Sequence, residues 1–166
     1  AYMGGAISYY GTLNCSDSRF IDNYAEWGSS IFSENAPLNV CNSFFTSGRS
    51  DKFGQICAFN SIVNVENSQF INISSAYASA LFLQECEFSI IDSRFVNLTA
   101  DITAGAIAAR QSGNSYIQGC EFINTKSFKN AGAILVDHDN EMHNTTIIDC
   151  VFKNASSMVG GAYIQI

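Results

Sequence analysis

One short pattern returns through the whole chain and limits its fold more than any other feature. A small-residue segment closes at Ile7, Ile31, Ile56, Leu81, Ile107, Ile134 and Tyr163, at intervals of 24, 25, 25, 26, 27 and 29 residues. A second marker, a Phe preceded at two residues by Ser or Cys, stands at Phe20, Phe45, Phe70, Phe95, Phe122 and Phe152. Each Phe lies 11 or 12 residues before the next small-residue marker, whereas the other half of the repeat grows from 13 to 18 residues. Self-similarity at such a period is the signature of a solenoid. One coil cannot bury its own apolar face, and stacked neighbours can.

Within each repeat the apolar residues alternate. Five residues before each Phe stand Cys15, Val40, Val65, Ile90, Ile117 and Ile147, and two residues further back stand Leu13, Leu38, Val63, Phe88, Ser115 and Thr145. Period-2 runs of β-branched and aromatic residues, bounded by Gly, Asn, Asp and Ser, predict three short strands per coil. No segment sustains a helical period, and Pro37 is the only proline. The expected fold is all-β, a parallel β-helix of about six to seven coils forming one domain over residues 1–166. At about 4.8 Å per coil the rod would be roughly 30 Å long.

Two polar columns follow from the same alignment. Asp17, Asn42, Asn67, Asp92, Gly119 and Asp149, three residues before each Phe, are types that tolerate tight bends and predict a turn. Asn72, Asn97, Asn124 and Asn154, two residues after the Phe, predict an interior asparagine ladder with each amide bonded to its equivalent one coil away.

Composition narrows the function. Eight Lys and Arg stand against 15 Asp and Glu, a net charge of −7 with no basic stripe, which argues against nucleic acid as a partner. No run of 18 apolar residues marks a membrane span. The chain opens inside a coil at Ala1-Tyr2-Met3-Gly4 and closes on an apolar strand at Ile164-Gln165-Ile166. Solenoid ends need polar caps, so we expect a piece of a longer protein. Cys15, Cys41, Cys57 and Cys86 fall at four different positions in the coil, and only Cys120 and Cys150 share a column, in the Ser place beside Phe. This is not a disulfide framework, and no spacing fits a zinc site. We expect small side chains packed inward there.

Gly-Gly-Ala-Ile motifs alternating with Cys-x-Phe-x-Asn, or with Phe20-Ile21-Asp22-Asn23, resemble the repeats of the chlamydial polymorphic outer-membrane proteins. They also resemble adhesin-like surface proteins of methanogenic archaea and surface repeats of microbial eukaryotes, all assigned to the right-handed parallel β-helix or pectin-lyase-like class. The resemblance spans essentially the whole chain. It implies that fold, an extracellular or cell-surface location, and a partner that is a host or neighbouring-cell surface protein or glycan, or other subunits of a surface layer. It departs from the pattern at Phe44-Phe45-Thr46-Ser47, which lacks the Asn, and at Gln55, which interrupts the small-residue motif.

An enzyme of this class would be a polysaccharide lyase, with an acidic calcium cluster beside an Arg or Lys base, or a glycoside hydrolase with spaced carboxylates. The sequence shows neither constellation, and no catalytic residue or cofactor is assigned. One segment offers metal-ligand types: Asp137, His138, Asp139, Glu141 and His143. A polar loop without metal is the competing reading. Trp27, Tyr77 and Phe128, in equivalent connections, would be ligand-binding rings for a sugar or partner, or else loop residues packed on the coil below. By alternation, Phe32, Phe82, Leu135 and Ile164 should point outward and need covering. Of five glycosylation sequons, Asn14 and Asn144 are the candidates left outside the presumed interior ladder. The expected function is a non-catalytic, adhesin-like or surface-assembly β-helix, with a polysaccharide-active enzyme or a purely structural rod as alternatives.

Overall fold

The computed structural model of the protein describes residues 1–138, 142–161 and, as backbone, 164 and 165. Its described residues form 21 strands and no helix. Numbered in chain order, the first sheet stacks β1 (Ile7–Tyr9), β5 (Ile31–Glu34), β9 (Ile56–Phe59), β12 (Leu81–Gln84), β15 (Ile107–Ser112), β18 (Ile134–His138) and β21 (Ile164–Gln165). The second stacks β2 (Leu13–Ser16), β6 (Leu38–Cys41), β10 (Ile62–Glu66), β13 (Glu87–Ile91), β16 (Ser115–Gln118) and β19 (Thr145–Ile148). The third stacks β3 (Arg19–Ile21), β7 (Phe44–Thr46), β11 (Gln69–Ser75), β14 (Arg94–Ala100), β17 (Glu121–Ser127) and β20 (Val151–Lys153), with β4 (Tyr24–Trp27) and β8 (Arg49–Phe53) extending it along the lower coils. All pairings are parallel and join each residue to its equivalent one repeat away, as in Phe70 with Phe95 and Phe95 with Phe122.

The molecule is therefore a three-sheet parallel β-solenoid. About five turns of chain run through it, fewer than the expected six to seven coils. The second and third sheets each stack six successive strands, which leaves five intervals, whereas the seven sequence markers count first-sheet layers.

Three columns of left-handed backbone bend each coil. The predicted turn column has positive φ throughout, from Asp17 at 50° to Asp149 at 52°, with Gly119 at 63°. Asn and Asp adopt this region at low cost because their short side chains bond locally. The second bend, at Asp22, Ser47, Asn72, Asn97, Asn124 and Asn154, has φ between 53° and 56°. A third column, Asn35, Asn60, Glu85 and Gln111, turns the first sheet toward the second.

The interior is one continuous cluster with like residues stacked on like. Phe20, Phe45, Phe70, Phe95, Phe122 and Phe152 form a column of near-parallel rings, with centroids 4.6, 4.6, 5.1, 4.7 and 4.9 Å apart. Beside it runs a hydroxyl ladder. Ser18, Ser43, Ser68 and Ser93 each donate Oγ–H to the carbonyl two residues earlier at 2.8 Å. The hydroxyls of Ser43, Ser68 and Ser93 also accept the N–H of the equivalent Ser below at 3.2, 3.0 and 3.1 Å. Cys120 takes the next rung, with the Ser93 N–H at 3.5 Å from its Sγ. Inward packing beside Phe was expected, and the ladder adds the partners that polar groups in a dry interior require.

The asparagine ladder forms but faces solvent, which corrects its predicted depth. Asn97 Nδ2 donates to Asn72 Oδ1 at 3.0 Å, Asn124 to Asn97 at 2.9 Å and Asn154 to Asn124 at 3.1 Å, all on exposed side chains. A left-handed residue at a convex bend turns its side chain outward, away from the strand's inward-facing neighbours. Three further exposed rows behave alike: Asn14–Asn39–Asn64, Asn35–Asn60 and Asn42–Asn67.

Candidate functional site

The first sheet is buried on both faces, and this decides the fate of the aromatic candidates. Phe32, Phe82 and Leu135 do face out of the interior, where they join Cys57 and Ala78, Ala104, Ala108 and Ala131 in a second apolar cluster. Met3, Trp27, Phe53, Phe59 and Tyr77 cover that cluster. Trp27 lies 5.2 Å from Phe53 at 75° and 5.6 Å from Phe59, and Tyr77 lies 5.1 Å from Phe53. The outward row therefore finds its cover within the chain. Trp27 and Tyr77 have the loop-packing role that competed with ligand binding. Lys52 extends the cover, with Nζ 5.9 Å from the Trp27 ring and 2.6 Å from the Glu26 carboxylate, whose hydrogen bond raises the Lys52 pKa. Phe128 alone of the three candidates is exposed, beneath the Lys126 ammonium at 4.3 Å. Tyr163 and the side chain of Ile164 lie outside the described residues.

The metal-ligand candidates diverge. His138 Nδ1 donates to the Ser112 carbonyl at 3.2 Å, and its Nε2 shares a hydrogen bond with Thr145 Oγ1 at 3.0 Å. Both ring nitrogens are thus committed to protein partners, one in the coil below and one in the same coil. Asp137 is exposed and shares a shallow depression with Gln84, Arg110 and Gln111, whereas His143 lines another with Glu85 and Glu87. Asp139 and Glu141 lie outside the described residues. Among the described residues no group of three or more His, Cys, Asp or Glu is placed to hold a metal ion.

The open side of the solenoid carries a groove along the bend between the first and second sheets. Asn35, Pro37, Asn60, Glu85 and Glu87 line its lower part, and Gln111, Gly113 and His143 continue it upward. Glu87 reaches across Gly113, where a Cβ would stand 2.7 Å from its Cγ, so glycine keeps this stretch open. The bend column supplies Glu85 and Gln111, which sequence reading missed because its residue types vary from coil to coil. Residue type thus hid a site that register would have revealed.

Of the glycosylation candidates, Asn14 lies in β2 and Asn144 immediately precedes β19. Asn14 and Asn144 are exposed. Asn14 accepts through Oδ1 from Asn39, and Asn144 donates its backbone N–H to Asn114 Oδ1 at 3.1 Å. Asn72, Asn97 and Asn154 are exposed as well, so burial does not shield their sequons. The amides of Asn97 and Asn154 donate within the ladder, while Asn72 is its lowest rung and only accepts. The cysteines are all free thiols. Burial raises Cys57 well above its ordinary value, Cys86 to about 11 and Cys120 to about 12, which keeps these thiols protonated and unreactive at neutral pH.

No family model, curated protein or solved structure matches the chain.

Proposed function

We propose that the chain is a non-catalytic, extracellular β-solenoid that presents its outer surface to a partner, as a module for adhesion or surface assembly. The observation that carries this reading is the organisation of the outside. Inward columns fill the core and the large rings of the first sheet are covered, while exposed bends and the outer face of the second sheet carry rows of amides locked to one another at one-coil intervals. Side chains held this way lose little further entropy on binding, so a rigid repeating surface favours extended contact with a glycan, a surface protein or other copies of the chain. The likeness of the repeat to microbial surface proteins, the sequons and the acidic charge of −7 are consistent with export.

The test is binding of the purified chain to immobilised surface glycans, cell-surface protein extracts and itself, with product release assayed in parallel. Saturable binding without turnover is the expected result. Release of glycan fragments that disappears in Glu85→Gln or Glu87→Gln would replace this reading with the hydrolase alternative, which the two groove carboxylates favour.

A further inference from the structure

On the connection leading from the third sheet to the first, three coils contribute matching triplets. Arg49 pairs in register with Ser74, and Ser74 with Thr99; Ser50 pairs with Ser75, and Ser75 with Ala100. The next residues in these rows are Asp51, Ala76 and Asp101. Two carboxylate-bearing positions thus stand two coils apart, roughly 10 Å between Cα atoms. Ala76 between them has no side chain beyond Cβ. The result is a cleft of about 280 Å³ lined by Arg49, Asp51, Ser74, Ala76, Thr99 and Asp101 among others.

Its walls are differently prepared. Asp51 is oriented by the Tyr24 hydroxyl, which donates to Oδ2, and by Arg49 Nε at 3.7 Å from Oδ1. Asp101 has no hydrogen bond or ion pair through its carboxylate among the described residues, and neither do the hydroxyls of Ser74 and Thr99. Ser75 alternates with Ser74 and turns its buried hydroxyl to the interior face that Ile73 occupies, so the cleft's own hydroxyls are those of Ser74 and Thr99. The groups around the cleft are mixed: acceptors at Asp51 and Asp101, a donor at Arg49, and hydroxyls that do both. The guanidinium disfavours a bare cation, and two carboxylates disfavour an anion. Adjacent hydroxyl groups, each donating and accepting, match this set.

We propose that this cleft binds one neutral sugar residue, its hydroxyls donating to Asp51 and Asp101 and accepting from Arg49 and the Ser74 and Thr99 hydroxyls. The cleft lies just below the ~300 Å³ at which clefts for drug-sized ligands begin, which suits a single ring. The assignment rests on the reading of the chain as a surface-recognition module and names the ligand class and place.

The experiment is an amide chemical-shift titration of the ¹⁵N-labelled protein with the methyl glycosides of glucose, galactose and mannose, and separately with calcium chloride. For at least one glycoside, saturable shifts centred on residues 49–51, 74–76 and 99–101 are expected, with a Kd of about 1 mM. Ala76→Phe fills the notch and should abolish them. Asp101→Asn, an exposed change that leaves the fold intact, should weaken binding by about tenfold. No saturable shift with any glycoside, shifts centred elsewhere, shifts that persist in both variants, or a response to calcium alone would overturn the assignment. Sugar shifts here in a chain that adheres to no surface would support the cleft and remove the adhesive reading. Adhesion without sugar shifts would do the reverse.

Discussion

Phe95→Ala removes the ring at the centre of the molecule's longest column. Phe95 is fully buried and stacks 5.1 Å from Phe70 and 4.7 Å from Phe122, with both pairs of planes within 3° of parallel. Burial of such a side chain contributes about 1.5–3 kcal/mol. Each aromatic neighbour adds about 0.5–1.5 kcal/mol. The registered strands on both sides hold the backbone at one-coil spacing, so the site collapses little and a cavity remains. The expected loss is therefore at the upper end of the ~3–5 kcal/mol seen for large aromatic truncations. Against a total of about 5–15 kcal/mol, that is a large fraction. Reversible urea denaturation followed by far-ultraviolet circular dichroism measures it, with Phe152→Ala as the companion because that ring is only partly buried. Phe95→Ala should lower the midpoint far more than Phe152→Ala. Equal midpoints, or a Phe95→Ala midpoint matching the parent, would refute the stacked interior.

Asn97 sits at φ 56° and bonds both ladder neighbours, so Asn97→Leu should cost about 1–2 kcal/mol in backbone strain beyond the lost bonds, and Asn97→Gly should recover most of that strain on the same denaturation assay. Trp27→Ala should lower the thermal midpoint, because the indole covers the outer cluster; an unchanged midpoint would return Trp27 to the solvent-facing role. Folded-state thiol pKa values raised to about 11 at Cys86 and about 12 at Cys120 mean that the unfolded chain loses these protons first as pH rises past about 9. Stability should hold below that pH and fall through the window between 9 and 12, by up to about 1.4 kcal/mol per pH unit for each such thiol. Native alkylation at pH 8 should correspondingly spare Cys57, Cys86 and Cys120 and label Cys41 first, as read by peptide mass spectrometry.

Much of this architecture is legible in the repeat because a solenoid converts spacing directly into contact. Aligning the Phe markers places Phe20 through Phe152 in one column, and the structure stacks them in that order. Depth was harder to read. An Asn in a conserved column looks structural and therefore interior, yet a left-handed bend turns Asn72, Asn97, Asn124 and Asn154 outward. The double burial of the first sheet had a signal that alternation obscured: Leu81-Phe82-Leu83 and Ile134-Leu135-Val136 are continuous apolar runs, the mark of a parallel strand covered on both faces. Gln55 shows why single-column reading fails. It interrupts the small-residue motif but is fully buried, accepting from Ser30 Oγ, and its amide fills space beside Gly48 where a Cβ would lie 2.0 Å from Nε2. In the row of that glycine the next coils carry Ile73 and Leu98, so the Gln and the Gly compensate each other in a way that only the register reveals. The groove and cleft were illegible for the same reason, since each is assembled from different residue types on successive coils.

The central claim is the register itself, since the core, the ladders and the cleft all depend on it. Arg19, Phe44, Gln69, Arg94, Glu121 and Val151 occupy one outward column through five successive pairings. Nitroxide amino acids incorporated at Arg19 and Val151 by codon suppression leave the native cysteines in place, and pulsed dipolar spectroscopy reads their separation. Five coil spacings of about 4.8 Å predict a single distribution centred roughly 24 Å apart, after allowance for the label arms. A broad distribution, or a centre displaced by more than one or two coil spacings, would contradict the solenoid register.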